Sequence, residues 1–468
     1  MNRLYKSNQA ELIAVYGRRR VGKTFLIDET FGDRITFRHA GLSPTDHESR
    51  GLLQAQLDHF YNSLDLHGMR QCDKPKTWLD AFLLLEKFLQ SIDNGTRQIV
   101  FLDELPWMDS PKSGFLRAFE GFWNTWACHR KNLMVIVCGS ANSWIQDNLI
   151  NNHGGLYNRV TYGIKLSPFT LHECERFYQD NGLPFTRYDI TQSYMILGGI
   201  PYYMRYMDAR LSLAQNIDQL FFVRKAKLQN EFDRLFDSIF VNPEAVKSIV
   251  RLLYTRNAGY TRKEIVQKLG ITDGGRLSRN LNALIASDFI MKYVPFGFGM
   301  REEHYKLIDP FCIFYLHFVN RRKNVNQQYW QESVTSQPVV SWCGFAFENV
   351  CFNHIAEIKK ALGISGVHSD CSAWSKRGDD ESGTQIDMLI IRKDNVINMC
   401  EIKFYSDDFS VDKEYYKTIL RRQKLLTDQV SPKISVHSTL ITTYGLVHNG
   451  YDGAFIHLVT LDDLFEGV

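Results

Sequence analysis

The sequence predicts an α/β chain: a doubly wound parallel sheet with a helical lid, then a helix-turn-helix with a hairpin, then a second α/β domain. Three observations predict it. Three short apolar runs, at 11–16, 98–103 and 132–140, alternate with helical patterns. The first run ends in a glycine-rich turn that opens a helix. Two further apolar strands near the C-terminus carry Asp387 and the triplet Glu401-Ile402-Lys403. Strands alternating with helices build a sheet whose site lies at the strand C-termini.

The totals set the bounds. A chain of 468 residues is too long for one hydrophobic core and predicts two to four domains. With 44% hydrophobic and 23% charged residues it is globular, and a net charge of +3 makes any nucleic-acid surface local. Nine cysteines without a CxxC pair read as reduced thiols in a cytoplasmic protein. MNRLYKSNQAELIAVYG has no signal-peptide core, and the longest tight apolar run, Leu133 to Cys138, excludes a membrane span.

In order along the chain, ELIAVY at 11–16 ends at Gly17 and reads as a buried parallel strand. From Lys23 the pattern turns helical. Trp78, Phe82, Leu85, Phe88, Leu89 and Ile92 fall on one helical stripe. QIVFLDE is a second buried strand ending in two acids, and NLMVIVCGS a third ending in small polar residues. Residues 169–240 are helix-rich and aromatic, broken at Gly198-Gly199-Ile200-Pro201. The predicted boundaries are a core at 1–167, a lid at 168–240, a winged helix at 241–320, a polar linker at 321–340 beginning Arg321, Arg322, Lys323, and a C-terminal domain at 341–468.

GRRRVGKT, residues 17–24, fits the P-loop spacing G-x-x-x-x-G-K-[ST]. Gly17 and Gly22 let the backbone of Arg18, Arg19, Arg20 and Val21 wrap so that N–H groups face the phosphates of ATP. Lys23 reaches the β and γ phosphates, Thr24 holds Mg²⁺, and Phe25 continues the helix whose positive end faces the same anion. Asp103 ends the next strand as the second Mg²⁺ group, with Glu104 beside it to activate water. Ser140, with Asn142 as the lesser choice, ends the third strand as a phosphate sensor or water-polarising group. Arg159, in GLYNRV, is either a finger for transition-state charge or a solvated arginine.

VYGRRRVGKT, FLDELPWM, CGSANSWI, GLYNRVTYGIKLSPF and LGGIPYYM, in that order, resemble the archaeal-type ATPase family of AAA+/STAND-like P-loop proteins. The resemblance covers most of residues 11–205. It implies an ASCE-class ATPase core with a helical lid, Ser140 as sensor, Arg159 facing the γ phosphate, and a lid shaped by Gly198, Gly199 and Pro201. Family members usually carry a further N-terminal segment with a glycine-arginine-acid motif. MNRLYKS stands there instead, so the expectation is a truncated start or an adenine pocket finished differently.

YTRKEIVQKLGITDGGRLSRNLNALIASDFIMKYVPFG reads as a winged helix. Leu277, Leu281 and Leu284 share one face of its second helix, leaving Arg276, Arg279 and Asn280 to meet a DNA groove or to face a packing partner. Residues 244–310 hold 11 Lys and Arg against 7 Asp and Glu, a local +4.

In QIDMLIIRKDNVINMCEIKFYS, a turn at Lys393-Asp394-Asn395 brings Asp387 beside Glu401 and Lys403, which alternate onto one strand face. Two carboxylates there form a hard-oxygen Mg²⁺ site, and the lysine stabilises developing charge. This D…E-x-K pattern resembles the PD-(D/E)XK nuclease superfamily over residues 342 to about 445, with Ile386 where a proline is usual. The resemblance implies Glu348, in FAFENVCF, as a helical metal ligand and Gln423 and Lys424 as an auxiliary pair. Asp379, Asp380 and Glu381 read as a solvated loop, and His39, His153 and His354 as locally satisfied. The functional expectation is an ATP-hydrolysing protein coupling nucleotide state to a nuclease on DNA, with a homo-oligomer if Arg159 acts across an interface. The alternative is a nucleotide-gated switch with a DNA- or protein-binding winged helix and a non-catalytic C-terminal domain.

Overall fold

The computed structural model describes residues 1–43, 52–70, 72–140, 142–151, 154–240, 242–299, 302–320, 326–376 and 384–467. Arg321, Arg322, Lys323, His153, Asp379, Asp380 and Glu381 lie outside the described residues, as does the side chain of Asn142. The chain divides into two compact units: Met1–Ser167 with Asp237–Val241 and Leu281–Ser287, and Pro168–Phe236 with Asn242–Asn280 and Asp288–Val468.

The first unit is built on a five-stranded sheet of β1 (Glu11–Tyr16), β2 (Phe37–Ala40), β3 (Gln98–Asp103), β4 (Leu133–Gly139) and β5 (Tyr162–Lys165). All neighbours are parallel, in the order β2-β3-β4-β1-β5. β4 separates the P-loop strand from the acid-bearing strand, the arrangement of the ASCE class. The continuous apolar runs are explained by burial on both faces. Ile13, Val15, Ile99, Phe101, Met134 and Ile136 pack with Ile27 and Phe31 on one side. Leu12, Ala14, Val100, Leu102, Val135 and Val137 pack on the other, with Leu57, Phe60, Phe82, Phe119 and Phe122.

The Trp78–Ser91 helix starts at Thr77, whose side chain forms a capping box with Asp80. Ile92 leaves the predicted stripe. The helix ends at Ser91, and Ile92, at the cap with φ −109°, is 42% exposed.

The second unit opens with the Leu171–Asp180 and Arg187–Leu197 helices, each begun by a threonine capping box. Gly198 ends the second helix at φ +70°. Gly199 follows at φ +63°, where an added Cβ would lie 2.3 Å from the Phe169 carbonyl oxygen. That close approach explains the glycine pair before Pro201.

Helices Pro243–Tyr254, Arg262–Leu269 and Gly275–Ala286 precede an antiparallel sheet of β6 (Tyr260–Thr261), β7 (Ile290–Tyr293) and β8 (His304–Leu307), ordered β6-β8-β7. This is the winged-helix arrangement. Leu277, Leu281 and Leu284 are buried, while Arg276 and Arg279 are exposed and Asn280 is half-buried.

The stretch expected as a linker, 321–340, is helical in much of its described part. Tyr329–Ser333 is a helix, and Gln337 opens the Gln337–Asn353 helix. Its polar composition hid Trp330, which is buried against Phe314, Phe318 and Trp342. The buried carboxylate of Asp218 accepts from the Trp330 N–H at 2.7 Å and from the Gln331 N–H at 3.2 Å.

A mixed sheet ends the chain: β9 (Ser369–Lys376), β10 (Thr384–Arg392), β11 (Val396–Lys403), β12 (Ser435–Thr442) and β13 (His457–Val459), in the order β13-β12-β11-β10-β9. β9, β10 and β11 are antiparallel, and β11, β12 and β13 parallel. The Lys413–Thr427 helix buries Ile419 and Leu426 with Leu389, Met399 and Leu440.

His354 ties this unit together. Its Nε2 accepts from the Leu171 N–H at 2.9 Å, and its Nδ1 bonds the Val350 carbonyl at 2.8 Å. Burial lowers its pKa to about 4. The fold therefore prefers the neutral ring, and the stability it contributes, present above the unfolded value near 6.5, is lost as pH falls toward 4. Urea titrations should show acid destabilisation over that window, on the order of 3 kcal/mol at its limit, flattened in His354→Asn. Equal slopes for both proteins would contradict the assignment.

Candidate functional sites

The loop after β1 is shaped by glycine. Gly17 sits at φ +154°, and a Cβ there would lie 2.1 Å from the Leu166 carbonyl oxygen. Gly22 caps the Lys23–Phe31 helix at φ +93° with open space around it. Its requirement is conformational, whereas that of Gly17 is also steric. Arg20 takes a left-handed φ of +75° between them. Arg18 and Val21 are buried, Arg19 and Arg20 partly so, and Phe25 is 68% exposed.

Lys23 is buried, and its Nζ donates to the carbonyls of Gly17 and Arg18 at 2.9 Å each and to Ser140 Oγ at 3.2 Å. Burial lowers its pKa, and the nearby carboxylates of Glu104 and Asp103 oppose that shift. Thr24 Oγ1 donates to Asp103 Oδ2 at 2.8 Å. The other Asp103 oxygen accepts the Glu104 N–H at 2.9 Å. Ser140 holds Glu104 twice, by Oγ–H to Oε1 at 2.6 Å and by N–H to Oε2 at 3.1 Å. The structure thus brings Lys23, Thr24, Asp103, Glu104 and Ser140 into one connected group. A hydroxyl and a carboxylate paired at the mouth of an N–H-rich loop are donors suited to Mg²⁺, and a buried ammonium resting on carbonyls fits an anion.

Arg159 is not drawn into that group. It is exposed just before β5, and its side chain makes no hydrogen bond or ion pair with the group among the described residues. Gly41 escaped the sequence reading. Its N–H donates to the Asp103 carbonyl at 3.0 Å, and a Cβ there would lie 2.8 Å from the Glu104 carbonyl oxygen. The only sequence signal was a glycine directly after the short strand β2.

At the other site, β10 and β11 pair with Met388 opposite Cys400, which sets Asp387 against Glu401. Asp387 Oδ2 accepts the Ile402 N–H at 3.0 Å. Burial and the neighbouring Glu401 and Glu348 push its pKa up to about 7. Glu401 is buried and fully engaged. Lys403 Nζ lies 2.8 Å from Oε1, Tyr415 OH donates to Oε1, and Arg422 donates to Oε2. Glu348, on the Gln337–Asn353 helix, accepts from Asn257 Nδ2 at 2.9 Å, and burial raises its pKa.

Gln423 instead bonds the Val436 carbonyl at 3.0 Å, and Lys424 is exposed. Arg422, one residue earlier, is the side chain that reaches Glu401, a difference fixed by helix phase. Among the described residues no group of three or more His, Cys, Asp or Glu side chains is placed to hold a metal ion. Glu348, Asp387 and Glu401 as folded do not fit Mg²⁺.

Residues 1–207 match the model of an ATPase domain found predominantly in Archaea. An uncharacterised protein of Methanocaldococcus jannaschii is 22% identical over 433 residues, 91% of this chain and 90% of that protein. The Walker-type ATPase of Pyrococcus abyssi is similar at 19% identity and TM-score 0.42, over 67% of this chain and 92% of that one. The Aeropyrum pernix ORC2 protein, in ADPNP–ADP complexes, is similar at 11% identity and TM-score 0.36, over 67% and 89%. The chain carries a nucleotide-binding ATPase domain of the archaeal type, and no described helix is long and apolar enough to cross a membrane.

The two loop glycines are expected to rank by their surroundings. Gly22→Ala should cost about 1–2 kcal/mol of stability and weaken ATP binding. Gly17→Ala, with its Cβ inside the contact distance of Leu166, should abolish binding of a fluorescent ATP analogue. The reverse order would refute the steric reading.

Proposed function

We propose that this chain hydrolyses ATP and uses its nucleotide state to control a DNA-directed C-terminal domain of the PD-(D/E)XK nuclease type. The observation that carries the first half is the chain of contacts Lys23–Ser140–Glu104 beside the Thr24–Asp103 pair.

The residues divide the work as follows. Backbone N–H groups of residues 17–24 and the helix N-terminus receive the phosphates. Lys23 exchanges the Gly17 and Arg18 carbonyls for phosphate oxygens. Thr24 and Asp103 would hold Mg²⁺, which supplies neutralising charge to the phosphates. Glu104, freed from Ser140, orients water and takes its proton as water attacks the γ phosphorus and ADP leaves. Ser140 links the two events because its hydroxyl touches both Lys23 and Glu104. A γ phosphate that draws Lys23 away also loosens the grip on Glu104. Exposed Arg159 is assigned to a neighbouring copy, where it would meet the γ phosphate.

The second half rests on the strand pair that sets Asp387 against Glu401 and Lys403, with Glu348 on the preceding helix. The basic excess and exposed Arg276 and Arg279 of the winged helix support DNA as the partner. A second reading, a nucleotide-gated switch with a non-catalytic C-terminal domain, is favoured by the saturation of Glu401 by Lys403, Tyr415 and Arg422.

Two measurements test this. Glu104→Gln should keep ATP affinity and lower kcat by roughly 10²–10⁴; wild-type turnover in that variant would sink the role of Glu104. Plasmid, linear duplex and single-stranded DNA, each with and without ATP and with Mg²⁺ or Mn²⁺, should be cut by the wild type and spared by Lys403→Ala. Lys23→Ala should change the nucleotide dependence of cutting. No cleavage in any lane, with ATP still hydrolysed, would move the conclusion to the switch.

A further inference from the structure

Lys306 stands on β8, in the winged-helix hairpin and outside the C-terminal sheet, yet its charge is spent inside the carboxylate cluster. The side chain is 5% exposed. Its ammonium lies 4.8 Å from the Phe352 ring centre, and its electrostatic partners are Glu348 and Asp387. Among the described residues it makes no hydrogen bond or ion pair within 4.0 Å. A buried ammonium with no partner in contact is rare and points at what it faces.

Three independent contacts hold the hairpin region there. Asn257 Nδ2 donates to Glu348 at 2.9 Å. Ser372 Oγ on β9 donates to the Val294 carbonyl at 2.8 Å. The Phe296 N–H donates to the Ala373 carbonyl at 3.3 Å. The hairpin is stitched to the sheet that carries the acids.

Charge decides what the cluster can accept. Glu348, Asp387 and Glu401 face Lys306, Lys403 and Arg422, so three carboxylates meet three cations. Lys403 and Arg422 are in contact with Glu401. Lys306 is left for the other two acids. A divalent ion entering this balanced, buried group would bring two positive charges with no anion to answer them. With Lys306 and Asn257 gone, Glu348 and Asp387 become two hard-oxygen ligands short of a cation.

We propose that Lys306 is the resident cation of this cluster, and that Glu348 and Asp387 take up Mg²⁺ or Mn²⁺ only when the β7–β8 hairpin withdraws it. The proposal rests on reading these two acids as ligands of the nuclease-like domain, and not on cleavage itself. It makes the winged helix the element that closes the C-terminal site, and it explains why the acids as folded do not fit a metal.

The test is Mn²⁺ binding to the full-length, nucleotide-free protein, read as loss of the free-ion signal in electron paramagnetic resonance. Wild type and Asp387→Asn should bind alike, because the cluster holds no Mn²⁺ in either. Lys306→Met, close in length and uncharged, should gain one site per chain, at least tenfold tighter than any cluster binding in wild type. Lys306→Met with Asp387→Asn should lose that site, and Lys306→Arg should match wild type. Wild type that binds more Mn²⁺ than Asp387→Asn would overturn the proposal. A folded Lys306→Met that gains no site would overturn it as well. If Lys306→Met does not fold, the wild-type comparison with Asp387→Asn still decides. A Lys306→Met protein that binds Mn²⁺ and cuts no DNA would defeat the nuclease reading and leave this one standing.

Discussion

A positive charge carried out of water must be answered, and Lys23 is the point from which the first unit is arranged. Its ammonium is held by the carbonyls of its own loop and by Ser140. Those carbonyls are available because Gly17 and Gly22 take backbone angles that side chains resist. The loop is positioned because β1 is buried in the sheet beside β4, and β4 delivers Ser140 from its C-terminal end. Glu104, at φ +46°, is bent back toward the same serine. Each of these features is costly alone and consistent together, the mark of a site held ready for an anion.

The same constraint returns in the second unit with the signs reversed. There the carboxylates are in excess on the strands, and cations converge from a helix, a strand and a hairpin. The buried aspartate–glutamate pair is tolerable because Arg422, Tyr415 and Lys403 share Glu401 while Lys306 faces Asp387 and Glu348. The two sites differ in where the balancing charge comes from. In the loop it is local in sequence, and in the cluster it is drawn from residues far apart in the chain.

That difference is also why one site was more legible than the other. Residues 17–24 state their own geometry, since a loop cradling phosphates needs its glycines and lysine at fixed spacing. The strand runs and the D…E-x-K pattern were visible because side-chain period is local. Lys306, Asn257 and Arg422 carried no such signal. A lysine on a short polar strand, an asparagine in a loop and the second arginine of Arg421-Arg422 acquire meaning only once the fold brings them to the acids. Helix phase, which separates Arg422 from Gln423, turns on a single residue and lies below the resolution of pattern reading. The linker expectation failed for a related reason: one tryptophan, Trp330, outweighed the polar residues around it by packing among aromatics.

The stitching of the hairpin to β9 has a consequence for how the protein keeps company with itself. β9 is an outer strand of the C-terminal sheet, and the opposite outer strand, β13, spans only His457–Val459. An outer strand offers unpaired backbone groups to any passing chain. Here the Ala373 carbonyl is already taken by Phe296, and the Ser372 hydroxyl fastens the segment at Val294. The hairpin therefore acts as a cover over a sticky edge. A molecule that lifts it bares a strand eight residues long, so movement at this point and self-association are two sides of one joint.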